Sequence, residues 1–418
     1  MTIPYIKRER LSNGLQYFNH EESYLPLAKI RIAFHGGGTA LPPEKAGAMV
    51  LLYDYLVSSQ EALLVEFDRI GTTPVFYVDE NGSAIDVTVN STDTEKAFEL
   101  LSRMLREPQF DQNIFEKVKI KYIADVYESQ RTSKESARSA LVRSIYGIEH
   151  PLGTLRTDTF ESLQSAKIED LYHVYREYIG PRDIAVITTG RISDNQGHML
   201  CQDFFGDWRS SADAADPMPK ALAVNRGQHF FVARANLQKA YVQLGGHGAA
   251  LGDDDEYAFR MAARVLSDRL GRLFHRNNSF CSTEAEIHMF KSTGYYSMAC
   301  SIDREQTWQA ALDISSTEFS AAINYVDGAS MPYFRSGEAW NIVNSFRSLY
   351  GIIEKISSIY WNDLPDDYYI KSLEKINQVT LSDVERALHK YFRKDQIHVV
   401  VVGDPSSTLR NTKRLQSP

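Results

Sequence analysis

LAKIRIAF-HGGGT-ALPPEKA-GAMVLLYDYL, residues 27–56, is the stretch of sequence that decides the fold. Its first part, 27–34, alternates apolar and polar residues and predicts a strand. The glycines at 36–38 and the prolines at 42–43 mark a loop. Residues 47–56 are rich in Ala, Met and Leu, which favours a buried helix over a further strand. The predicted order is therefore strand, glycine loop, core helix.

The same order returns in the second half of the chain. Residues 241–248, YVQLGGHG, precede an acidic turn and a predicted helix from Tyr257 to Leu266. The ends of the two halves match as well, because residues 163–190 and 376–403 share their pattern of apolar residues at a constant offset of 213 residues. A repeat of this length predicts two similar domains, each built from several helices and strands.

Length and linker signals suggest where these domains begin and end. A chain of 418 residues can bury two sizeable cores. Residues 210–219 are small and polar with two prolines, which is typical of a linker. We predict an N-terminal domain at 1–209, a linker at 210–224, a C-terminal domain at 225–405 and a tail at 406–418. The mixture of strands and long helices predicts α+β domains, each a mainly antiparallel sheet with helices packed on one face.

The strand, the glycine loop and the core helix resemble the pitrilysin/insulinase family of zinc metallopeptidases, which includes mitochondrial processing peptidase. In that family the core helix carries H-x-x-E-H, in which two histidines bind zinc and the glutamate activates water. Aligned without gaps, those three positions are Val50, Tyr53 and Asp54 here. Only Asp54 can ligate a metal, whereas a catalytic zinc takes three protein ligands. The resemblance therefore implies a degenerate site, with no catalytic residue, no metal and no other cofactor in this chain.

Two further family positions are weakly matched. The family's third zinc ligand, a glutamate on a later helix, falls near Glu128, which is a candidate vestigial ligand; a glutamate on a solvated helix face is also common. In its second domain the family carries an Arg and a Tyr, seven residues apart, that contact substrate. The match begins at Arg272 but offers no such pair, and Arg276 is the nearest basic candidate for binding substrate. The equal alternative for Arg276 is a solvated helix residue.

The family's enzymes bind peptides by adding them as a strand to an exposed sheet edge. Residues 71–78 match that edge, so Val75, Phe76 and Tyr77 are candidate substrate-binding residues. Pro74 leaves an alternative open, because proline on an edge strand also prevents unwanted pairing.

Composition limits the function classes. The net charge of −8 disfavours a general nucleic-acid binder. The sequence contains no run of about 18 apolar residues, the length that a membrane-spanning helix needs. Residues 1–8 lack the apolar core of a signal peptide. We therefore predict no membrane association and a cytoplasmic location. The three cysteines suit a reducing compartment. A nucleophilic Cys281 with His288 as its base is a further reading, but buried thiols are favoured because nothing in the sequence fixes their geometry.

The resemblance implies two similar domains arranged as half a clamshell, so that two such chains would enclose a chamber. We predict an inactive homologue, not an enzyme itself: a non-catalytic subunit that binds peptide substrate together with a zinc-bearing sister peptidase subunit in a heterodimer. A structural scaffold, like the zinc-less core subunits of the respiratory cytochrome complex, and a homodimeric peptide-binding protein are the alternatives. All three need the same fold, so the sequence leaves them open.

Overall fold

The structure, a computed structural model, describes residues 3, 6–106, 108–130, 132–153, 160–180, 184–209, 226–276, 280–281, 285–303, 327–404 and 413–414. The predicted linker and most of the predicted tail lie outside these residues. The chain divides into two compact units, and each draws on both halves of the sequence. The first unit comprises 1–126, 159–218 and 341–371, and the second comprises 127–158, 219–340 and 372–418. The domain boundaries proposed from the sequence stay a prediction, since the linker that sets them is not described.

The described elements follow one another with few long connections. In chain order they are β1 (Lys7–Arg10), β2 (Gln16–Glu21), β3 (Leu27–Phe34), α1 (Ala46–Ser58), α2 (Glu61–Arg69), β4 (Val75–Val78), β5 (Ser83–Asn90), α3 (Thr94–Arg106), α4 (Gln112–Gln130), α5 (Ser133–Tyr146), α6 (Phe160–Ser165), α7 (Ile168–Tyr178), β6 (Ile184–Gly190), α8 (Asp194–Phe205), β7 (His229–Ala233), β8 (Lys239–Gly248), α9 (Glu256–Arg276), β9 (Phe280–Cys281), β10 (Glu286–Met289), β11 (Gly294–Asp303), α10 (Met331–Ser345), α11 (Leu349–Trp361), α12 (Tyr368–Gln378), α13 (Leu381–Tyr391), β12 (His398–Gly403) and β13 (Lys413–Arg414).

The first unit contains a six-stranded sheet in the order β1-β2-β6-β3-β5-β4. Only the pairing of β2 with β6 is parallel. Because side chains alternate across a strand, Ile30, Ile32 and Phe34 of β3 face one side of the sheet. There they join a core with α1, whose residues 46–53 are all buried. The helix is apolar on nearly every side because the core surrounds it.

The opposite face of this sheet is covered by α11, a helix from the second half of the sequence. It packs against β3 and β6, and Ile353, Ile356 and Ile359 are fully buried. The sequence predicted helices on one face only. A helix that arrives from more than 150 residues beyond the last strand of this sheet leaves no local signal of where it docks.

The second unit repeats this arrangement. Its sheet has the order β10-β11-β8-β12-β7-β13, with β9 paired to β11. On one face, Phe259 of α9 packs on Tyr391 and Phe392 at the end of α13. On the other face, α5 from the first half of the sequence contacts β8 and β12. The predicted α+β fold is confirmed, with sheets that are mixed rather than purely antiparallel, and the clamshell arrangement stays a prediction.

Within the described residues no single helix is long and apolar enough to cross a membrane. α1 and α2 reach that length and composition only as a pair, which is bent by 66° at the break between them.

Candidate functional site

The three positions that the resemblance assigns to the zinc motif lie on α1. Val50 and Tyr53 are buried, with 9% and 1% of their surface exposed, and Asp54 is partly exposed. The Tyr53 hydroxyl hydrogen-bonds the Ser83 hydroxyl on β5, and Ser83 donates to the carbonyl of Gly36 at 2.5 Å. Since a hydroxyl has one proton to donate, Tyr53 must be the donor to Ser83. The side chain at the family's glutamate position thus joins the core helix, the sheet and the glycine loop.

The ring of Tyr53 fills the space beside the sheet. Its centroid lies 5.8 Å from that of Phe34 and 5.3 Å from that of Phe76 on β4. Burial raises the pKa of Tyr53, and the hydrogen bond with Ser83 opposes this only in part. The phenol therefore stays protonated at neutral pH and can serve neither as a general base nor as a metal ligand. These residues do not fit a zinc ion, so no hydrolytic step can be derived at this helix.

In the glycine loop, the backbone lies very close to the backbone of the turn between β4 and β5. A Cβ on Gly37 would lie 2.4 Å from the amide nitrogen of Gly82 in the β4–β5 turn, so no larger residue fits there. The amide of Gly38 donates to the carbonyl of Asp79 at 2.6 Å. The loop is accordingly attached to the turn that follows the edge strand.

Asp79 organises that turn, and sequence reasoning did not single it out. Its Oδ1 accepts hydrogen bonds from the amides of Asn81 and Gly82, both at 2.8 Å. Burial and the nearby carboxylate of Glu80 raise the pKa of Asp79 to about 7, against the lowering effect of those two amides. The stretch Asp79-Glu80-Asn81-Gly82 is an ordinary turn signal, and only the folded environment reveals the altered acidity of Asp79.

The candidate peptide-binding residues lie where the edge-strand hypothesis requires. Among the described strands, β4 is the last of the first sheet and pairs with β5 alone. Val75 is 59% exposed, whereas Phe76 and Tyr77 are half-buried. The Tyr77 ring lies under the guanidinium of Arg31, at 4.5 Å, and edge-on to Trp361, at 6.1 Å. Their role in binding peptide stays a prediction.

Beside this edge the first sheet contains a buried group of charges that we call the arginine cluster: Lys29, Arg31, Asp86, Glu354 and Ser357. Arg31 is completely buried and holds Asp86 through two hydrogen bonds of 2.6 and 2.8 Å. It also donates to Glu354 at 2.7 Å and to Ser357 at 3.0 Å, while Lys29 pairs with Asp86 at 2.8 Å. Burial lowers the pKa of Arg31, but Asp86 outweighs it and the net shift is upward. The sequence gives no sign of this cluster, because α11 supplies two of its members.

In the corresponding place in the second unit, under α5, lie aromatic and imidazole rings instead. We call this group the histidine cluster: His150, His247, His288 and His398 with Tyr146 and Tyr295. The ring of Tyr146 stacks on His150 at 4.8 Å and lies edge-on to His247 at 5.2 Å and to Tyr295 at 6.0 Å. His288 stacks on Tyr295 at 4.3 Å. None of these contacts was predicted.

The remaining predicted residues lie on elements of the second unit. Glu128 is exposed near the end of α4 in the second unit. Arg276 is the last residue of α9, and its side chain is not described, nor is that of Cys281. Across the described ranges, no group of three or more His, Cys, Asp or Glu side chains is close enough to hold a metal ion.

Comparison with known proteins adds evolutionary context. A family model described as the peptidase M16 inactive domain matches residues 165–326. A curated relative from Helicobacter pylori, the "Non-peptidase homolog YmxG", is 24% identical over 183 residues. That match covers 42% of this chain and 42% of the relative, so it spans less than half the length of either protein.

Solved structures share the fold over nearly the whole chain. The peptidase M16 inactive domain from Pseudomonas fluorescens superposes with a TM-score of 0.83 at 14% identity, covering 98% of this chain and 100% of that one. A structure described as a protease from Helicobacter pylori gives 0.85 at 13% identity, with 96% and 100% covered. A chain of Complex III2 from Candida albicans gives 0.78 at 14% identity, with 95% of each covered.

Proposed function

Because this chain is an inactive-domain homologue of the peptidase M16 (pitrilysin) family, we propose that it is the non-catalytic subunit of a two-chain zinc peptidase. A sister chain with an intact H-x-x-E-H would carry the metal and cleave the peptide. The resemblance noticed in the sequence, and the prediction of an inactive homologue, are confirmed by the family model and by the relative named a non-peptidase homolog. The sister chain, the heterodimer and the peptide substrate are our proposal.

One observation carries the proposal: the first unit has lost the metal-binding chemistry of α1 but keeps an accessible sheet edge beside it. Tyr53 fills the family's glutamate position with a buried, hydrogen-bonded ring. β4, whose Phe76 contacts that ring, remains the outer strand of the sheet. An edge strand can bind an extended peptide through its main-chain groups without any catalytic residue.

The chemistry of the edge suggests what it would hold. Val75 offers an exposed apolar surface on the side of the sheet that carries Asp86. A peptide added to β4 would gain main-chain hydrogen bonds and place alternate side chains against this surface. We propose that this chain contributes peptide affinity and one wall of a shared chamber. A cytoplasmic location is part of the proposal, supported by the few cysteines of the chain.

The decisive experiment measures mass and cleavage together. The chain is analysed by size-exclusion chromatography with light scattering, alone and mixed with a candidate sister chain that carries H-x-x-E-H, and each fraction is assayed with a peptide library. We expect a mixed dimer that cleaves peptides, while this chain alone does not. A stable homodimer that ignores the sister chain but retains peptides would favour the homodimeric alternative, and a chain that binds neither would favour the scaffold.

A matched pair of variants tests the role of the edge strand. Val75→Lys places a charge on the proposed peptide surface, and Val65→Lys places one on α2 at a valine of similar exposure, 52% against 59%. Both positions are exposed, so we expect each variant to fold and to dimerise normally. Peptide affinity of the mixed dimer should fall about tenfold for Val75→Lys, the equivalent of about 1.4 kcal/mol. Equal affinities for the two variants would remove β4 from the peptide site.

A further inference from the structure

We propose that the histidine cluster is an acid-operated latch: it holds α5 on the second sheet at neutral pH and releases it in mildly acidic solution. Nothing in the proposed function requires this, and the observations that support it all lie within the second unit.

Ring contacts hold the end of α5 on the sheet. Tyr146, the last residue of the helix, lies among His150, His247 and Tyr295 and shares a hydrogen bond with the Thr293 hydroxyl at 3.3 Å. Such contacts stabilise the docked helix by burying aromatic surface.

Two neutral imidazoles lie beneath the helix, and a proton added to either ring would find no hydrogen-bond acceptor in the part of the chain that the structure describes. His247 donates a hydrogen bond to the carbonyl of Ile145, which leaves its Nε2 to be satisfied elsewhere. Within the described residues, neither Nε2 of His247 nor Nδ1 of His398 has a hydrogen-bond partner, and both atoms are buried. His398 is only 1% exposed. Protonation of either ring would bury an unpaired charge, which is costly.

The charges around the cluster would not compensate for that proton. The titratable and charged groups of the packed elements include Lys134, Glu135, Arg138 and Arg143 on α5, Glu149 and His150 after it, His229 and Arg234 on or next to β7, Lys239 and Tyr241 on β8, Glu286 and His288 on β10, Tyr295, Tyr296 and Cys300 on β11 and Asp404 after β12. The nearby carboxylates already have partners: Glu286 pairs with Lys134 and His288, both at 3.9 Å, and Glu135 pairs with Arg138 at 3.8 Å.

The pKa values of the two imidazoles agree with this picture. Burial, with the neighbouring His247 and His229, lowers the pKa of His398 to about 4. Burial also lowers the pKa of His247, against the raising effect of its bond to Ile145. A histidine released from the cluster titrates near 6.5, so the released state binds more protons between about pH 6.5 and 4. Acid in this range therefore favours release, and the docked state is fully stable only above it.

Hydrogen exchange with mass spectrometry on the full chain, from pH 7.5 to 5.0 and corrected for intrinsic exchange, tests the latch. Through His398 alone, with a pKa of about 4 when docked and about 6.5 when released, the opening constant of α5 should rise about 30-fold between pH 7.5 and 5.0. His247 should add to this rise in the same direction, because burial lowers its pKa as well. Amides of α11 in the first unit serve as the internal reference and should change far less.

Three variants make the test specific. His398→Asn should reduce the pH response of the α5 amides by about tenfold or more at pH 5.0, and His247→Asn should reduce it in the same direction. His389→Asn, at an exposed position on α13, should leave the response unchanged. Exchange in α5 that does not depend on pH, the same response in both cluster variants as in the wild type, or equal acceleration in α5 and α11 would each overturn the proposal. If one cluster variant does not fold, the other still decides.

Discussion

The sheet face under α11 and the sheet face under α5 occupy corresponding places in the two units but have opposite chemistry. Under α11, the arginine cluster neutralises its charges through short hydrogen bonds. Under α5, the histidine cluster consists of stacked and edge-on rings, and two of its imidazoles, His247 and His398, each have a buried nitrogen with no hydrogen-bond partner among the described residues. Both units thus place a helix on this face of the sheet, but the polar groups beneath the helix differ between them. One helix is held by paired opposite charges, and the other by rings of which two, His247 and His398, resist protonation.

The largest effect should come from breaking the arginine cluster. Arg31→Met removes the positive charge while Asp86 stays buried, and a broken buried ion pair costs about 3–5 kcal/mol of unfolding free energy. Lys29 remains beside Asp86 at 2.8 Å and reduces the loss, so we expect about 3 kcal/mol. Urea denaturation of the purified variant measures it.

The control for that variant is Lys371→Met on α12. Lys371 forms an exposed pair with Asp367, and such pairs are worth less than about 1 kcal/mol. If Arg31→Met were no more destabilising than Lys371→Met, the arginine cluster would not hold α11, and the contrast between the two faces would disappear.

The second prediction concerns global stability in acid. His398 has a pKa of about 4 in the folded protein and about 6.5 when unfolded, so the unfolded chain binds more protons below pH 6.5. Lowering the pH from 7 to 5 should therefore cost about 2 kcal/mol through this residue, and His398→Asn should lose that part of the pH dependence. Parallel urea titrations at the two pH values compare the wild type with the variant. Identical pH dependence in both proteins would contradict the assignment to His398.

The sequence predicted the strands and the core helix of the repeat, but not the side-chain clusters beneath α11 and α5. The repeat and the core helix followed from local patterns, since apolar spacing and glycine loops are short-range signals. Arg31 looked like the polar residue of an alternating strand, and its partner Glu354 lies 323 residues away. The degenerate positions on α1 were found by resemblance alone. That Tyr53 fills its position with a hydrogen bond to Ser83 could be seen only after folding, because the two lie on separate elements.

A third, smaller effect has the opposite sign and belongs to the first unit. Asp79 has a pKa raised to about 7 when folded, against about 4 when unfolded, so the folded state binds the extra proton and is favoured as the pH falls below 7. Asp79 is partly exposed, and water reduces the effect to about 1 kcal/mol between pH 8 and 5. Asp79→Asn keeps an oxygen for the amides of Asn81 and Gly82 but cannot titrate. Its unfolding free energy should lack this rise in acid, and hydrogen exchange of β4 and β5 would show where the rise is lost.

The smallest predicted effect separates the two kinds of contact within the histidine cluster. Tyr146→Phe removes only the hydroxyl, whose hydrogen bond to Thr293 is long at 3.3 Å, so we expect a loss of about 0.5 kcal/mol. Tyr146→Ala, which removes the ring between His150 and His247, should cost about 3 kcal/mol. The Phe variant should also keep the acid response of α5, because the imidazoles beneath it are unchanged. A Phe variant as unstable as the Ala variant would show that the hydroxyl, not the stacked rings, holds α5 in place, and the second face would then resemble the first.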